Sequence, residues 1–157
     1  MRRLAGPLGA LGLMVLLAGG PACGTAVLHR LPSTTGNPDR VVGELTLVTD
    51  AQVEHLPSRG WDLTVQFDLE WRGQERSRVD LARTVVRVDE STWETCRLRE
   101  DADRDALLVL LDPGDRAQRS LTCLDIRQPG QKVELRIYAS GTGAPGGYIE
   151  LSFLGVP

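Results

Sequence analysis

The chain contains few of the residues on which most site chemistry depends. It has only two histidines, His29 and His55, and neither is spaced with the other or with a cysteine in the manner of a zinc site. No serine stands in the Gly-x-Ser-x-Gly context of a hydrolase nucleophile. The glycine-rich residues 141–147 lack the Lys-Ser/Thr pair of a phosphate-binding loop. The sequence therefore predicts a protein that is not an enzyme and has no cofactor.

Positive charge is also scarce. Lys132 is the single lysine, and leaving out Arg2 and Arg3 reduces the 18 basic residues to 16, against 21 acidic ones, a net charge of −5 for residues 23–157. Proteins that bind nucleic acid carry a basic face, and this sequence shows no basic cluster. Nucleic acid is therefore not a predicted partner.

A long apolar run is missing as well. A transmembrane helix needs about 20 apolar residues, whereas the apolar stretch at residues 4–19 is 16 residues long and contains Pro7 and four glycines. Arg2 and Arg3 precede this stretch, which ends in the small residues 19–22. A positive segment, an apolar segment and a small-residue cleavage site form the layout of an export signal. Residues 1–22 are therefore predicted to be a signal peptide.

The residue after this signal is Cys23, directly preceded by Ala22. The arrangement resembles the acceptor cysteine of bacterial lipoproteins, although Gly20 stands where that family usually has leucine. The resemblance implies lipidation of Cys23 and anchoring in the bacterial cell envelope. Gly24 is not the aspartate associated with retention in the inner membrane, so the outer membrane is favoured over the inner. The alternatives are a secretory peptide cut near Ala22, which would release the protein, and a short membrane anchor.

The cysteine count agrees with the lipid interpretation. Three cysteines in an exported chain leave one thiol unexplained. Lipidation of Cys23 leaves Cys96 and Cys123 as a pair, which is predicted to form a disulfide in an oxidising compartment. The alternative is two buried free thiols, which behave as small apolar groups.

Residues 23–40 are predicted to be the lipid attachment site and a flexible tether. They include Pro32 and Pro38 and show no period of 2 or 3.6 residues. Within this segment Val27, Leu28 and Leu31 could dock on the domain that follows.

From residue 41 to residue 157 the pattern predicts one β domain. The clearest strand is residues 61–71, where apolar residues alternate strictly with polar ones. Such alternation is typical of a half-buried antiparallel strand. Trp61 and Trp71 share the apolar face and are expected to be buried, whereas Asp62, Asp68 and Glu70 are expected to face solvent.

Other strand-like segments are separated by turns rich in Gly, Pro and Asp, which gives about eight short strands in all. The predicted fold class is all-β: an antiparallel two-sheet sandwich, immunoglobulin-like in architecture only. The strand-like segments are residues 41–47, where Leu45 and Leu47 point to one side, and residues 84–89, 93–98, 106–111, 121–126, 133–139 and 148–154. Residues 98–111 could alternatively form a helix, because residues 100–111 contain good helix formers.

Two features are candidate ligand contacts. Trp93 lies among polar residues, so it is a better candidate for a surface contact than the other two tryptophans; the alternative is a partly buried cross-strand partner. Asp101, Asp103 and Asp105 resemble the start of a calcium loop, but Ala106 stands where that loop needs glycine. The favoured interpretation is therefore no metal site and a solvated acidic loop.

Taken together, the sequence favours a lipid-anchored, non-catalytic envelope lipoprotein with a binding or structural β-sandwich domain. Its predicted partners are the membrane, through the lipid, and an envelope protein or glycan. The alternative is a secreted ligand-binding module for sugar, peptide or calcium. A small envelope hydrolase is a third option, but it needs an acid–base pairing that the chain does not display.

Overall fold

The computed structural model describes residues 26–156, and these residues form ten strands, one short 3-10 helix and no α-helix. The strands are β1 (Val27–Leu31), β2 (Asp39–Val42), β3 (Leu45–Leu56), β4 (Gly60–Trp71), β5 (Ser77–Val88), β6 (Glu94–Thr95), β7 (Leu108–Leu111), β8 (Arg116–Ile126), β9 (Lys132–Ser140) and β10 (Tyr148–Leu154). The 3-10 helix is Pro145–Gly147.

The strands form two five-stranded antiparallel sheets, which confirms the predicted two-sheet sandwich. In the first sheet the order is β1-β3-β4-β8, and β2 pairs with β3 beside β1. In the second sheet the order is β10-β9-β5-β6, and β7 also pairs with β5. The structure has ten strands where the sequence predicts about eight, and β3, β4 and β5 are long, with 12 residues each.

Strand β4 shows why this sequence forms a sandwich. Its alternating residues Leu63, Val65, Phe67 and Leu69 are all at most 2% exposed, and they form the middle of a core to which both sheets contribute. Successive side chains of a strand point to opposite faces, so the strict period of two places every large apolar side chain on the inner face. Burying each of them contributes about 1.5–3 kcal/mol to the free energy of folding.

Asp62 departs from the predicted pattern. Its side chain is buried, whereas Asp68 on the same polar face is exposed. The pairing of β4 with β8 shifts register between Trp61 and Leu63, and Asp125 on β8 has a positive φ of 55°. The Asp62 carboxylate accepts a hydrogen bond from the Asp125 backbone N–H at 2.9 Å. The register shift is a β-bulge, and the Asp62 carboxylate stabilises it by this hydrogen bond to the backbone of β8. The prediction that Asp62 faces solvent was therefore wrong.

Part of the predicted tether belongs to the folded domain. β1 pairs with β3 from Val27 opposite His55 to Leu31 opposite Ala51. Leu31 is buried, as expected for a docked residue, but Val27 and Leu28 are 47% and 59% exposed. The described domain therefore begins at β1, ahead of the predicted start at residue 41.

Candidate functional site

Cys23 lies outside the described residues, as does the whole predicted signal peptide. The nearest described element is β1, whose first residue, Val27, is four positions further along the chain. Lipidation of Cys23 therefore remains a prediction. The structure shows only where the chain enters the folded domain, at β1.

Cys96 and Cys123 form a disulfide, as predicted, with a Cα–Cα distance of 4.9 Å. The backbone N–H of Cys96 donates to the carbonyl of Thr84, on β5 in the second sheet. The carbonyl of the next residue, Arg97, accepts from the N–H of Leu124, on β8 in the first sheet. The chain thus crosses from one sheet to the other at Cys96. The disulfide joins the two sheets at this crossing, in the buried core.

Trp93 packs against arginines on the outer face of the second sheet. The guanidinium carbons of Arg87 and Arg136 lie 4.5 and 4.2 Å from the centre of its ring. Arg136 also lies over the ring of Tyr148, at 4.9 Å. Trp93 is half-buried by these contacts. Arginine stacks on aromatic faces through cation–π attraction, worth about 0.5–1 kcal/mol at an exposed site.

Acidic side chains partly neutralise this surface. Glu134 lies next to Arg87, whose Nε donates to it at 2.7 Å, and next to Lys132, whose Nζ lies 2.7 Å away. Burial raises the pKa of the Glu134 carboxyl, but the hydrogen bonds from Lys132 and Arg87 outweigh it, so that the pKa lies below its ordinary value. The hydrogen bond from Arg136 to Glu150 raises the pKa of that arginine. These charges hold the arginines in place beside the rings.

A second arginine–aromatic contact lies on the same face. The guanidinium carbon of Arg83 lies 4.4 Å from the centre of the Tyr138 ring. These residues line a surface pocket of about 170 Å³ together with Ser140 and with Asp80, whose carboxylate pairs with Arg78 at 3.3 Å. No ion pair to Arg83 occurs among residues 26–156. We name this surface the arginine–aromatic face, and its residues are Arg83, Arg87, Trp93, Arg136, Tyr138 and Tyr148.

Sequence reasoning found only Trp93 on this face. The other members come from β5, β9 and β10, and they meet because Glu150 pairs with Arg136 and Tyr148 pairs with Tyr138 across the sheet. The alternation in β9 could have placed Arg136 and Tyr138 on its outer face, but it does not give the register between the strands.

The acidic residues 101–105 do not converge on one point. Asp101 accepts from Arg99 Nε at 3.1 Å, and Asp103 Oδ1 accepts from the backbone N–H groups of Asp105 and Ala106. The Asp101 carboxylate thus pairs with an arginine, whereas the Asp103 carboxylate stabilises a turn by accepting backbone hydrogen bonds. In the part of the chain from residue 26 to residue 156, no group of three His, Cys, Asp or Glu side chains could hold a metal ion. The possible helix over residues 98–111 is also absent: turns lead into β7.

The two histidines both lie beside Trp61 at one end of the first sheet, a proximity that the sequence analysis did not predict. His55 stacks on the Trp61 ring at 4.7 Å between ring centres, and His29 lies 6.0 Å from the same ring. Trp61 is half-buried, whereas Trp71 at the other end of β4 is 2% exposed. The expectation of burial is therefore confirmed for Trp71 and only partly for Trp61.

Comparison of the chain with protein-family models, with curated proteins and with solved structures finds no match. Among residues 26–156, no helix has the length and apolar character needed to cross a membrane.

Proposed function

We propose that this protein is a non-catalytic lipoprotein of the bacterial cell envelope, anchored by lipid on Cys23, with a β-sandwich that serves as a binding or structural module. The outer membrane is favoured over the inner, because Gly24 follows the cysteine where retained lipoproteins have aspartate. The alternative location is the extracellular medium, after simple secretion.

The observation that carries the proposal is the use of the cysteines. Cys96 and Cys123 pair inside the core, and a stable disulfide is typical of an exported protein. Their pairing leaves Cys23 as the third cysteine, directly after an export-like segment. An export signal, an oxidised core and one further cysteine at the cleavage site all support anchoring by lipid.

Acylation of Cys23 can be tested by metabolic labelling. In a bacterial host supplied with an alkyne analogue of palmitate, we expect the wild-type chain to take up the label, because the mature N-terminal cysteine carries fatty acids. Cys23→Ala is expected to abolish labelling and to release the domain from membranes. Mass analysis of the N-terminal peptide then identifies the modified residue.

A variant with Cys96→Ser and Cys123→Ser is the matched control, since it should keep the label. A Cys23→Ala chain could also stay bound to membranes because residues 1–22 were not removed. Its intact mass would then include these residues, whereas the mass of released protein would not. A wild-type chain that carries no fatty acid would contradict the proposal and favour secretion.

A second candidate function is binding of an acidic glycan on the arginine–aromatic face. Three of the seven aromatic residues lie on this face. Rings that stack on sugars and guanidinium groups that pair with carboxylates are the two elements that such a ligand requires. Arg83, beside the pocket at Tyr138, is the favoured contact for a ligand carboxylate.

Trp93→Ala tests this second function. In gel electrophoresis with immobilised polygalacturonate, we expect the wild-type domain to be retarded. The variant should bind about fivefold more weakly, since one aromatic contact contributes about 1 kcal/mol. Dextran, which has no carboxylates, is the control and should not retard either protein. Equal migration of the two proteins in polygalacturonate would argue against this role, provided that their melting temperatures agree.

A further inference from the structure

The distance between Cys23 and the folded domain is short. β1 begins at Val27, so only three residues separate the cysteine from the first strand. A fully extended chain spans at most about 3.3–3.6 Å per residue, so the Cα atoms of Cys23 and Val27 are at most about 14 Å apart. This limit holds for any conformation of the connecting residues.

The position of Val27 in the sheet shows which end of the domain must lie close to Cys23. Val27 pairs with His55 at the end of β3, His55 pairs with Trp61 at the start of β4, and Trp61 pairs with Ile126 at the end of β8. The turn between β3 and β4, residues 57–59, therefore lies at the same end. We name this end, made of Val27, Leu28, residues 57–59 and Trp61, the anchor-proximal end.

We propose that the anchor-proximal end lies against the surface of the bilayer in which Cys23 is anchored. This inference rests on the proposed acylation of Cys23. The opposite end of the first sheet, at Trp71, is separated from Gly60 by the length of β4, about 36 Å at 3.3 Å per residue. Because of the short connection, the domain presents one defined end to the lipid and directs the other end away from it.

The chemistry of the anchor-proximal end suits a lipid surface. Val27 and Leu28 are exposed apolar residues, and Pro57 in the turn at the same end is also exposed. Trp61 is half-buried against the two histidines, and tryptophan is enriched where proteins meet the headgroup region of a membrane. Arg59 in the same turn is 60% exposed, and its contact with Asp62 is long, at 3.8 Å.

A lipid bilayer is favoured over a protein partner as the occupant for two reasons. The chain length fixes the lipid on Cys23 within about 14 Å of this end, whereas nothing comparable brings a protein there. Exposed arginines near a membrane are attracted by anionic headgroups, at about 1 kcal/mol each. Arg59 can supply this attraction without breaking a short ion pair.

Energy transfer from tryptophan to the lipid surface measures which end faces the bilayer. The acylated protein is incorporated into vesicles of phosphatidylcholine and phosphatidylglycerol that carry a dansyl group on a fraction of the headgroups. All variants carry Trp93→Phe, because Glu94 next to Trp93 pairs with Arg127, just beyond the Ile126 that pairs with Trp61. In this background the proposal expects Trp61→Phe to reduce transfer at least twofold and Trp71→Phe, at the far end of β4, to leave most of it. A loss of transfer in Trp71→Phe but not in Trp61→Phe would overturn the proposed orientation.

A longer connection provides the second test. A flexible spacer of about 12 Gly and Ser residues inserted between Ala26 and Val27 spans about 20 Å on average. We expect this variant to stay acylated and bound to vesicles but to show reduced transfer from Trp61. Unchanged transfer would overturn the argument from chain length.

The two proposals can fail separately. If Cys23 is not acylated, the wild-type protein neither floats with vesicles nor transfers energy, as expected for Cys23→Ala, and the proposed anchoring itself is wrong. If the protein is acylated and floats but Trp61 transfers no more energy than Trp71, only the orientation is wrong.

Discussion

Loss of the disulfide between Cys96 and Cys123 is expected to lower the free energy of unfolding by about 3–4 kcal/mol. The two cysteines are 27 residues apart, and the chain-entropy model gives a stabilisation of that size for a closed loop of this length. The bond also fixes the crossing of the chain between the two sheets, where Cys96 and Arg97 bond to different sheets. A single domain has about 5–15 kcal/mol of stability in total, so the loss is a large fraction of it.

Urea unfolding of the Cys96→Ser/Cys123→Ser variant, followed by tryptophan fluorescence, measures the effect. Wild-type protein in the presence of a reductant is the matched control, because it lacks the bond but keeps the side chains. We expect the reduced protein and the variant to unfold at similarly low urea concentrations, and Cys23→Ser to unfold like the oxidised wild type. Equal midpoints for the oxidised and reduced proteins would mean that the bond contributes nothing.

Gly73→Ala is expected to destabilise the domain by about 2–4 kcal/mol, from overpacking and the loss of one hydrogen bond. A methyl group on Gly73 would overlap the six-membered ring of Trp71. Trp71 is 2% exposed, and its Nε1–H donates to the carbonyl of Glu75 at 2.7 Å. The indole cannot move away without breaking this bond and disturbing the core around it.

A double-mutant cycle separates this clash from other effects of the alanine. Trp71→Phe removes ring atoms that the methyl group would meet, so Gly73→Ala should cost less in that background than in the wild type. The measurement is the unfolding free energy of the four proteins in urea. Gly114→Ala is a further control. Its Cβ would meet nothing within 4 Å, so any loss of stability there comes from placing alanine at a positive φ of 88° and not from a clash. A Gly73→Ala protein as stable as the wild type would contradict the close packing described above.

The best-predicted element is β4, for a physical reason. Its predicted bounds, residues 61–71, match Gly60–Trp71 within one residue. One face of this strand is buried from Leu63 to Trp71, so the period of two runs without interruption there. The disulfide was also predictable, because an odd cysteine count and a predicted export signal together left one pair.

Strand β5 was predicted only over its second half, residues 84–89, although it spans Ser77–Val88. Leu81 and Thr84 are both buried, and the pairing with β9 shifts register between Asp80 and Val85. A bulge inserts an extra residue and reverses which residues face inward. A single period of two therefore cannot describe the strand: odd-numbered residues face inward up to Leu81 and even-numbered residues from Thr84 onward.

Strand β1 and the first half of β8 were missed for another reason. Of β1 only Leu31 is buried, and residues 116–120 of β8 are polar or small with no buried member. Strands with so few inward-facing apolar side chains leave little periodic signal. Their pairing depends on backbone hydrogen bonds to β3 and β4, which the sequence does not encode locally. The arginine–aromatic face was missed because it depends on register between strands.

One edge of each sheet has a feature that bears on self-association. One side of β3 is covered by two successive short strands, β1 and β2, and one side of β5 is covered by β7 and β6 in the same manner. A long strand with free N–H and C=O groups is a template on which a second molecule can add a strand. Here each of these edges is divided into pieces of two to five residues. Crowded copies of the domain would find no long, continuous strand on these sides from which a fibre could grow.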